Sequence, residues 1–256
     1  VSAVENHEEL SRYGAGLIYK MIVRAAAQGK RVNIGLATGN TMIALYWELA
    51  AMSNRDKIDL SCLHTYNLDE YLGDDMLAVA HDHPLSYWKY MHDNFFDRLA
   101  PERNFHETQI HFPDPSQPEL FDRQLQAAGN LDLQLLGLGF NGHIAFNEPQ
   151  EESEIAPAEF GALPSRVIRL NELTIQTNGK LTAGGCNTMV PRYAVTMGMK
   201  TILSAGKILL LTCFPEQQMP LLAMLALARP TPRLPVSYLL GHADCHVVYT
   251  RDTIGL

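Results

Sequence analysis

The chain has 256 residues, 46% of them hydrophobic and 19% charged, a globular balance that argues against disorder. Its formal net charge is -8 and no basic run stands out, which argues against nucleic acid as a partner and leaves any anionic ligand to be held by local groups. Cys62, Cys186, Cys213 and Cys245 have no metal-ligand spacing and read as reduced thiols of a cytoplasmic protein; no apolar run nears the roughly 20 residues of a membrane span, and Val1 to Glu9 carries no secretory h-region.

Leu10, Tyr13, Leu17 and Met21 recur at helical spacing and predict a first helix up to about Gln28, stopped by Gly29. Val32 to Ala37 reads as a buried strand, Thr38-Gly39-Asn40-Thr41 as a turn, and the segment with Ala44, Leu45 and Leu49 as a helix. Leu63 to Leu68 is the next strand. Asp69 to Pro84 breaks the pattern with Gly73, several acids and histidines, and reads as a functional loop. Ser86 can cap a helix including Trp88, Met91, Phe95 and Phe96. Gln109 to Phe112 is a short strand, Glu119 to Ala128 a helix stopped by Gly129, and Leu131 to Leu138 the strongest buried strand, followed at once by a glycine-rich loop.

Gln150 to Pro164 is acidic and aperiodic, either a lid or a plain surface loop. Val167 to Leu170, Ala194 to Met197, Ile208 to Thr212 and Cys245 to Tyr249 are the remaining strands; Pro215 to Ala228 is a helix and Arg229 to Pro235 a proline-rich connector. Strand–helix alternation with apolar strands predicts a single-domain α/β fold over residues 1–256, doubly wound on a mainly parallel sheet with helices on both faces. Ligands of such sheets bind outside the carboxyl ends of the strands, so the polar segments after Ala37, Leu68 and Leu138 should converge on one site.

Three segments there could carry chemistry. Thr38, Gly39, Asn40 and Thr41 make either a plain capped turn or an anion cradle at a helix N-terminus. Asp69 and Glu70 supply either a proton-transfer base or an N-cap with a solvated neighbour. In Gly137-Leu138-Gly139-Phe140-Asn141-Gly142-His143-Ile144-Ala145-Phe146-Asn147-Glu148-Pro149, the glycines Gly137, Gly139 and Gly142 let backbone approach a ligand. His143 lies near Asn141 and Glu148, which can fix its tautomer. His81, His83 and His92 lack the spacing and acidic partners of a metal site, so no metal is expected.

Asn67-Leu68-Asp69-Glu70-Tyr71, His83-Pro84-Leu85-Ser86-Tyr87, Gly142-His143-Ile144-Ala145-Phe146-Asn147-Glu148-Pro149 and Val190-Pro191-Arg192-Tyr193-Ala194-Val195-Thr196-Met197-Gly198 resemble the glucosamine-6-phosphate deaminase family, and the resemblance runs from about Val32 to Tyr249. It implies an enzyme without metal or organic cofactor that opens an amino-sugar phosphate ring, isomerises the 2-amino aldose to a ketose and releases ammonia. Asp69 would shuttle the proton between C2 and C1, and His143 would assist ring opening, oriented and tuned by Asn141 and Glu148. A homo-oligomer is open, since the family includes monomers and hexamers.

The chain departs from the family on the phosphate side. Phe214-Pro215-Glu216-Gln217 lacks the usual lysine, Lys180 stands for an arginine, and Gly39-Asn40-Thr41-Met42 replaces the usual Gly-(Gly/Ser)-Thr-Pro. Two alternatives remain: a 6-phosphogluconolactonase-like hydrolase, against which Asp69, Glu70 and Glu148 speak, and a non-catalytic sugar-phosphate sensor, against which the lack of a helix-turn-helix or basic segment speaks.

Overall fold

The computed structural model describes residues 1–256. In chain order its regular elements are β1 (Ser2–Val4), α1 (His7–Gln28), β2 (Val32–Leu36), α2 (Ile43–Arg55), β3 (Leu63–Asn67), β4 (Asp69–Leu72), α3 (Tyr87–Asn94), β5 (Ile110–His111), α4 (Pro118–Ala127) and β6 (Leu133–Gly137). There follow α5 (Pro157–Gly161), β7 (Arg166–Arg169), α6 (Glu172–Leu181), β8 (Tyr193–Thr196), α7 (Met199–Leu203), β9 (Ile208–Thr212), α8 (Gln218–Ala226) and β10 (Cys245–Thr250).

Seven strands form a wholly parallel sheet in the order β1-β10-β9-β6-β2-β3-β5. β2, β6 and β9 are mainly apolar because the sheet is covered, with Asn33 and Gln134 as buried exceptions; Ile34, Leu135, Leu136, Leu209 and Leu210 have no accessible surface. The chain runs outward from β2 to β3 and β5, then returns to place β6 on the other side of β2 and continues through β9 to β10. With right-handed crossovers, that reversal puts helices on both faces and opens a crevice beyond the carboxyl ends of β2 and β6.

The termini of α1 and α3 follow local chemistry. The Asn6 side chain accepts a hydrogen bond from Glu9 N at the start of α1, and Gly29 closes it in the left-handed region. Ser86 caps α3 as expected, accepting from Lys89 N, but α3 ends at Asn94, so Phe95 and Phe96 lie beyond it.

The sheet expectation needs correcting in one respect. Three segments form a separate antiparallel sheet, β4-β8-β7, with Asp69 opposite Thr196 and Arg166 opposite Thr196 on the other side. Two of these strands were expected in the main sheet, and the third was read as loop because its acids hide an extended segment that is buried at all four positions. The small sheet has its own apolar cluster, including Tyr71, Phe146, Ile175 and Ala194. It is joined to the main sheet by Leu68, whose carbonyl accepts from Met197 N. β1, pairing with β10, and the helices α5, α6 and α7 have no counterpart among the expected elements; α5 lies inside Gln150 to Pro164, expected as lid or loop.

Candidate active site

A cavity of about 410 Å³ opens where the sheet topology places the crevice. That is the size of a small-molecule site. The segments after β2, β3 and β6 converge there: Thr38, Gly39, Asn40 and Thr41 from the first, Asp69 from the second, and Gly137, Gly139, Asn141 and His143 from the third all line it.

Asp69 begins β4 directly after β3, so the strand that leaves the main sheet delivers its carboxylate to the cavity. The residue is only 5% exposed, and its side chain receives no hydrogen bond from the protein. Burial, and then the charge of Glu70, raises its carboxyl well above the ordinary range. A carboxylate without protein donors on the wall of a ligand-sized cavity is suited to taking a proton from a bound molecule.

Glu70 differs from both expectations for the acidic pair, being neither cavity-lining nor solvated. It is 4% exposed, and both oxygens accept hydrogen bonds at the start of α3.

His143 sits in a hydrogen-bonded chain. Its Nδ1 lies 2.7 Å from Asn141 Oδ1, Asn141 Nδ2 donates to Glu148 Oε2 at 2.8 Å, and Glu148 Oε1 accepts from Thr174 Oγ1 at 2.6 Å. The Glu148 carboxylate can only accept, so the Asn141 amide must turn its nitrogen there and its oxygen to the imidazole. Nδ1 therefore carries the hydrogen, and Nε2 is left for a substrate oxygen. Glu148 Oε2 is also 3.4 Å from Nδ1. Burial alone would raise the Glu148 carboxyl, but the hydrogen bond and charge of His143, with Thr174 and Asn141, bring it down to about 2. Glu148 thus acts on the cavity through its neighbours and does not line it.

The glycines divide by role. A Cβ on Gly139 would fall 2.4 Å from His143 Cε1 and Nε2, so the imidazole rests on this glycine. Its N–H donates to His143 O and is not available to a ligand, contrary to the expectation from sequence. Gly142 does not line the cavity; it has φ 87°, and a Cβ there would meet Leu234 at 2.3 Å. It serves the turn and the packing of the Arg229–Pro235 connector. Ala145, with φ 51°, holds a backbone conformation costing about 1–3 kcal/mol. Asn147 fixes that turn by donating to Ile144 O and Met197 O and accepting from Arg166 Nη1.

On the phosphate side, no lysine or arginine lines the cavity. Lys180 is exposed on α6 and is not brought to the wall. Gln217 does line it but is spent internally: its Oε1 accepts from Cys213 N and Phe214 N, and its Nε2 donates to Leu138 O. Gly39, with φ 114°, turns the Thr38–Thr41 segment, and Tyr90 on α3 donates its hydroxyl to Gly39 O at 2.7 Å.

Sequence reasoning missed an aromatic and amide wall. Tyr71, Tyr87 and Asn178 line the cavity, with Tyr87 donating to the Tyr71 hydroxyl and Asn178 Nδ2 donating to the same oxygen at 2.7 Å. Tyr71 and Tyr87 fell inside recognised motifs, but nothing local distinguished them from core aromatics. Asn178 belongs to a helix that was not anticipated.

The sequence pattern of the family described as glucosamine-6-phosphate isomerases/6-phosphogluconolactonase matches residues 5–158. The chain is 34% identical over 95% of its length to glucosamine-6-phosphate deaminase 2 of Bacillus subtilis strain 168, covering 92% of that protein. It is 32% identical over 98% of its length to glucosamine-6-phosphate deaminase of Thermoanaerobacter pseudethanolicus, again covering 92%. Among solved structures, a monomeric glucosamine-6-phosphate deaminase superposes with a TM-score of 0.83 at 29% identity, over 99% of this chain and 98% of that one. A 6-phosphogluconolactonase from Trypanosoma cruzi shares the fold, with a TM-score of 0.73 at 18% identity over 98% of this chain and 94% of that one.

Proposed function

Because the chain belongs to the family of glucosamine-6-phosphate isomerases and 6-phosphogluconolactonases, we propose that it is an amino-sugar-phosphate isomerase and deaminase, turning glucosamine 6-phosphate and water into fructose 6-phosphate and ammonia. The observation that carries this reading is that one cavity is lined both by a buried carboxylate without protein donors, Asp69, and by an imidazole with Nε2 free, His143.

The residues divide the work by chemistry. His143 Nε2 takes the proton of the anomeric hydroxyl and returns it to the ring oxygen, opening the pyranose. Asn141 holds the ring by its Nδ1–H, and the Glu148 carboxylate lies 3.4 Å from the same nitrogen. In the open-chain aldose, Asp69 removes the proton on C2. The C2–H electrons form the C1–C2 double bond as the C1=O π electrons move to O1, which takes a proton from water, giving an enolamine, the enediol-type intermediate. The Asp69 carboxyl returns its proton to C1, the C1–C2 π electrons forming the new C–H bond while the nitrogen lone pair forms an iminium at C2; water adds to C2, and the carbinolamine collapses to the C2 ketone as ammonia leaves with a proton from the added water. Asp69 suits this step because it is held close, and its raised proton affinity makes it a stronger base than a solvated carboxylate.

The lactonase alternative is supported by the breadth of the family and by fold: the lactonase structure named above shares the architecture at 18% identity, below the likeness to the deaminases. Parallel assays decide between the two. Ammonia release is expected from glucosamine 6-phosphate, with galactosamine and N-acetylglucosamine 6-phosphates and the free sugars as comparisons. Hydrolysis of 6-phosphogluconolactone without ammonia release from any amino sugar would overturn the proposal. No helix is long and apolar enough to cross a membrane.

A further inference from the structure

Glu70 is adjacent to the residue assigned the C2 proton transfer, yet points away from the cavity, as alternation along a strand requires. Its Oε1 accepts from Tyr71 N and Tyr87 N, both at 2.9 Å; its Oε2 accepts from Trp88 N at 2.8 Å and Ser86 Oγ at 3.0 Å. A carboxylate has about four acceptor positions, and here four donors occupy them. Two of those donors are backbone N–H groups of the first residues of α3, which lack partners within the helix, and a third is the hydroxyl of its N-cap, Ser86. Ser86 takes the next one by accepting from Lys89 N. Capping α3 needs only Ser86 or a water; a buried carboxylate from another strand is an expensive substitute, so its placement beside Asp69 calls for an explanation.

The rest of α3 supplies one. Ser86, Tyr87, Tyr90 and Asn94 line the cavity. Tyr90 holds the Gly39 turn through its hydroxyl, and Tyr87 reaches the Tyr71 hydroxyl, which also receives Asn178 of α6. The α3 N-terminus therefore joins the walls that face the substrate, and Glu70 is what fastens it to the strand carrying Asp69.

We propose that Glu70 is a positioning residue for the reaction: its four hydrogen bonds set the Asp69 carboxylate in register with the α3 wall and hold a second carboxyl beside it. This rests on the reading of Asp69 as the proton-transfer group. The titratable groups around Asp69 are Glu70 and Tyr71 on β4, Tyr87 on α3 and His143 across the cavity. Of these, Glu70 in its charged form adds to the burial that raises Asp69, while burial raises Glu70's own carboxyl against the pull of its four hydrogen bonds.

Glu70→Gln and Glu70→Asp test the proposal, with kcat, KM and the acid limb of kcat/KM measured against wild type on the same substrate, so that substrate titrations cancel. Gln removes the charge and turns an NH₂ group toward backbone donors. It is expected to lower kcat about 10- to 100-fold and to move the acid limb down by about one pH unit. Asp keeps the charge but falls one methylene short; it is expected to lower kcat while the acid limb stays in place. If Glu70→Gln does not fold, Glu70→Asp decides alone: wild-type kcat overturns the proposal, and reduced kcat with an unmoved limb supports it. In folded Glu70→Gln, an unmoved acid limb, whatever the kcat, shows a plain helix cap and overturns it. Asp69→Asn run alongside separates the two layers: if that variant keeps full turnover, the reading of Asp69 fails; if it loses turnover while both Glu70 variants behave as wild type, only the positioning role fails.

Discussion

Asp69→Asn should move activity and stability in opposite directions. Loss of the base is expected to reduce ammonia release by about 10²–10⁴-fold. Stability should rise, because the wild-type fold holds a carboxylate that is 5% exposed and has no protein hydrogen bond. An amide there is still unpaired but carries no charge. The penalty for a buried polar group without partners is about 1–3 kcal/mol in mutational data, and a charged one sits at or above the top of that range. The sign follows from linkage. The folded-state pKa of Asp69 is raised above the unfolded value of about 3.9, so ionisation is disfavoured in the fold. Below about pH 4 the carboxyl is protonated in both states and the penalty is absent; it grows as pH rises through the folded pKa and is complete above it. Thermal unfolding across pH should therefore show Asp69→Asn more stable than wild type at pH 8, by about 2–4 °C per kcal/mol, with the two converging toward pH 4. Undiminished turnover, or a melting temperature at pH 8 equal to or below wild type, would refute the assignment of Asp69 as a buried, unsatisfied base.

Gly139→Ala places a Cβ 2.4 Å from His143 Cε1 and Nε2, so the ring must move; kcat is expected to fall about 100-fold in steady-state assays while circular dichroism stays native. Glu148→Gln removes a carboxyl held at about 2, whose stabilisation is complete above its unfolded pKa of about 4.3 and lost as pH falls through about 2. The variant should be less stable than wild type at neutral pH, and denaturant titrations should show that gap narrowing as pH falls from about 4.5 toward 2. Lys180→Ala, at an exposed position off the cavity wall, should change kcat/KM for glucosamine 6-phosphate by less than about 3-fold. A cavity without lysine or arginine also predicts only weak dependence of that ratio on salt.

The parallel strands are legible because burial on both faces favours apolar runs, as in β9 and, but for the buried Asn33 and Gln134, in β2 and β6. The positions of Asp69 and His143 followed from strand ends alone. The small antiparallel sheet did not, because Asp69 and Glu70 occupy buried strand positions that a hydrophobic pattern assigns to loop. Their burial is made possible by tertiary partners: the α3 N-terminus for Glu70 and the cavity for Asp69. Helix α6 was invisible for a related reason. Only Thr174, Ile175 and Gly179 of its ten residues are buried, so its apolar stripe is too thin to register, although Asn171 caps it by accepting from Leu173 N. The wall of Tyr71, Tyr87 and Asn178 joins residues 107 positions apart in sequence, a pairing no local spacing encodes. Gly139 and Gly142 looked alike in sequence, but one supports the imidazole and the other packs on Leu234, a difference set by what each Cβ would meet.

The central claim is that one sugar-phosphate molecule is worked on from two sides, by the carboxylate that opens β4 and by the imidazole resting on Gly139. A crystal structure of the protein with bound fructose 6-phosphate or a stable open-chain analogue tests it most directly. The account predicts C1 and C2 within about 3–3.5 Å of Asp69 and the oxygen on C5 within hydrogen-bond reach of His143 Nε2. A sugar bound elsewhere, or seated in the cavity with C1 and C2 turned away from Asp69, would contradict it.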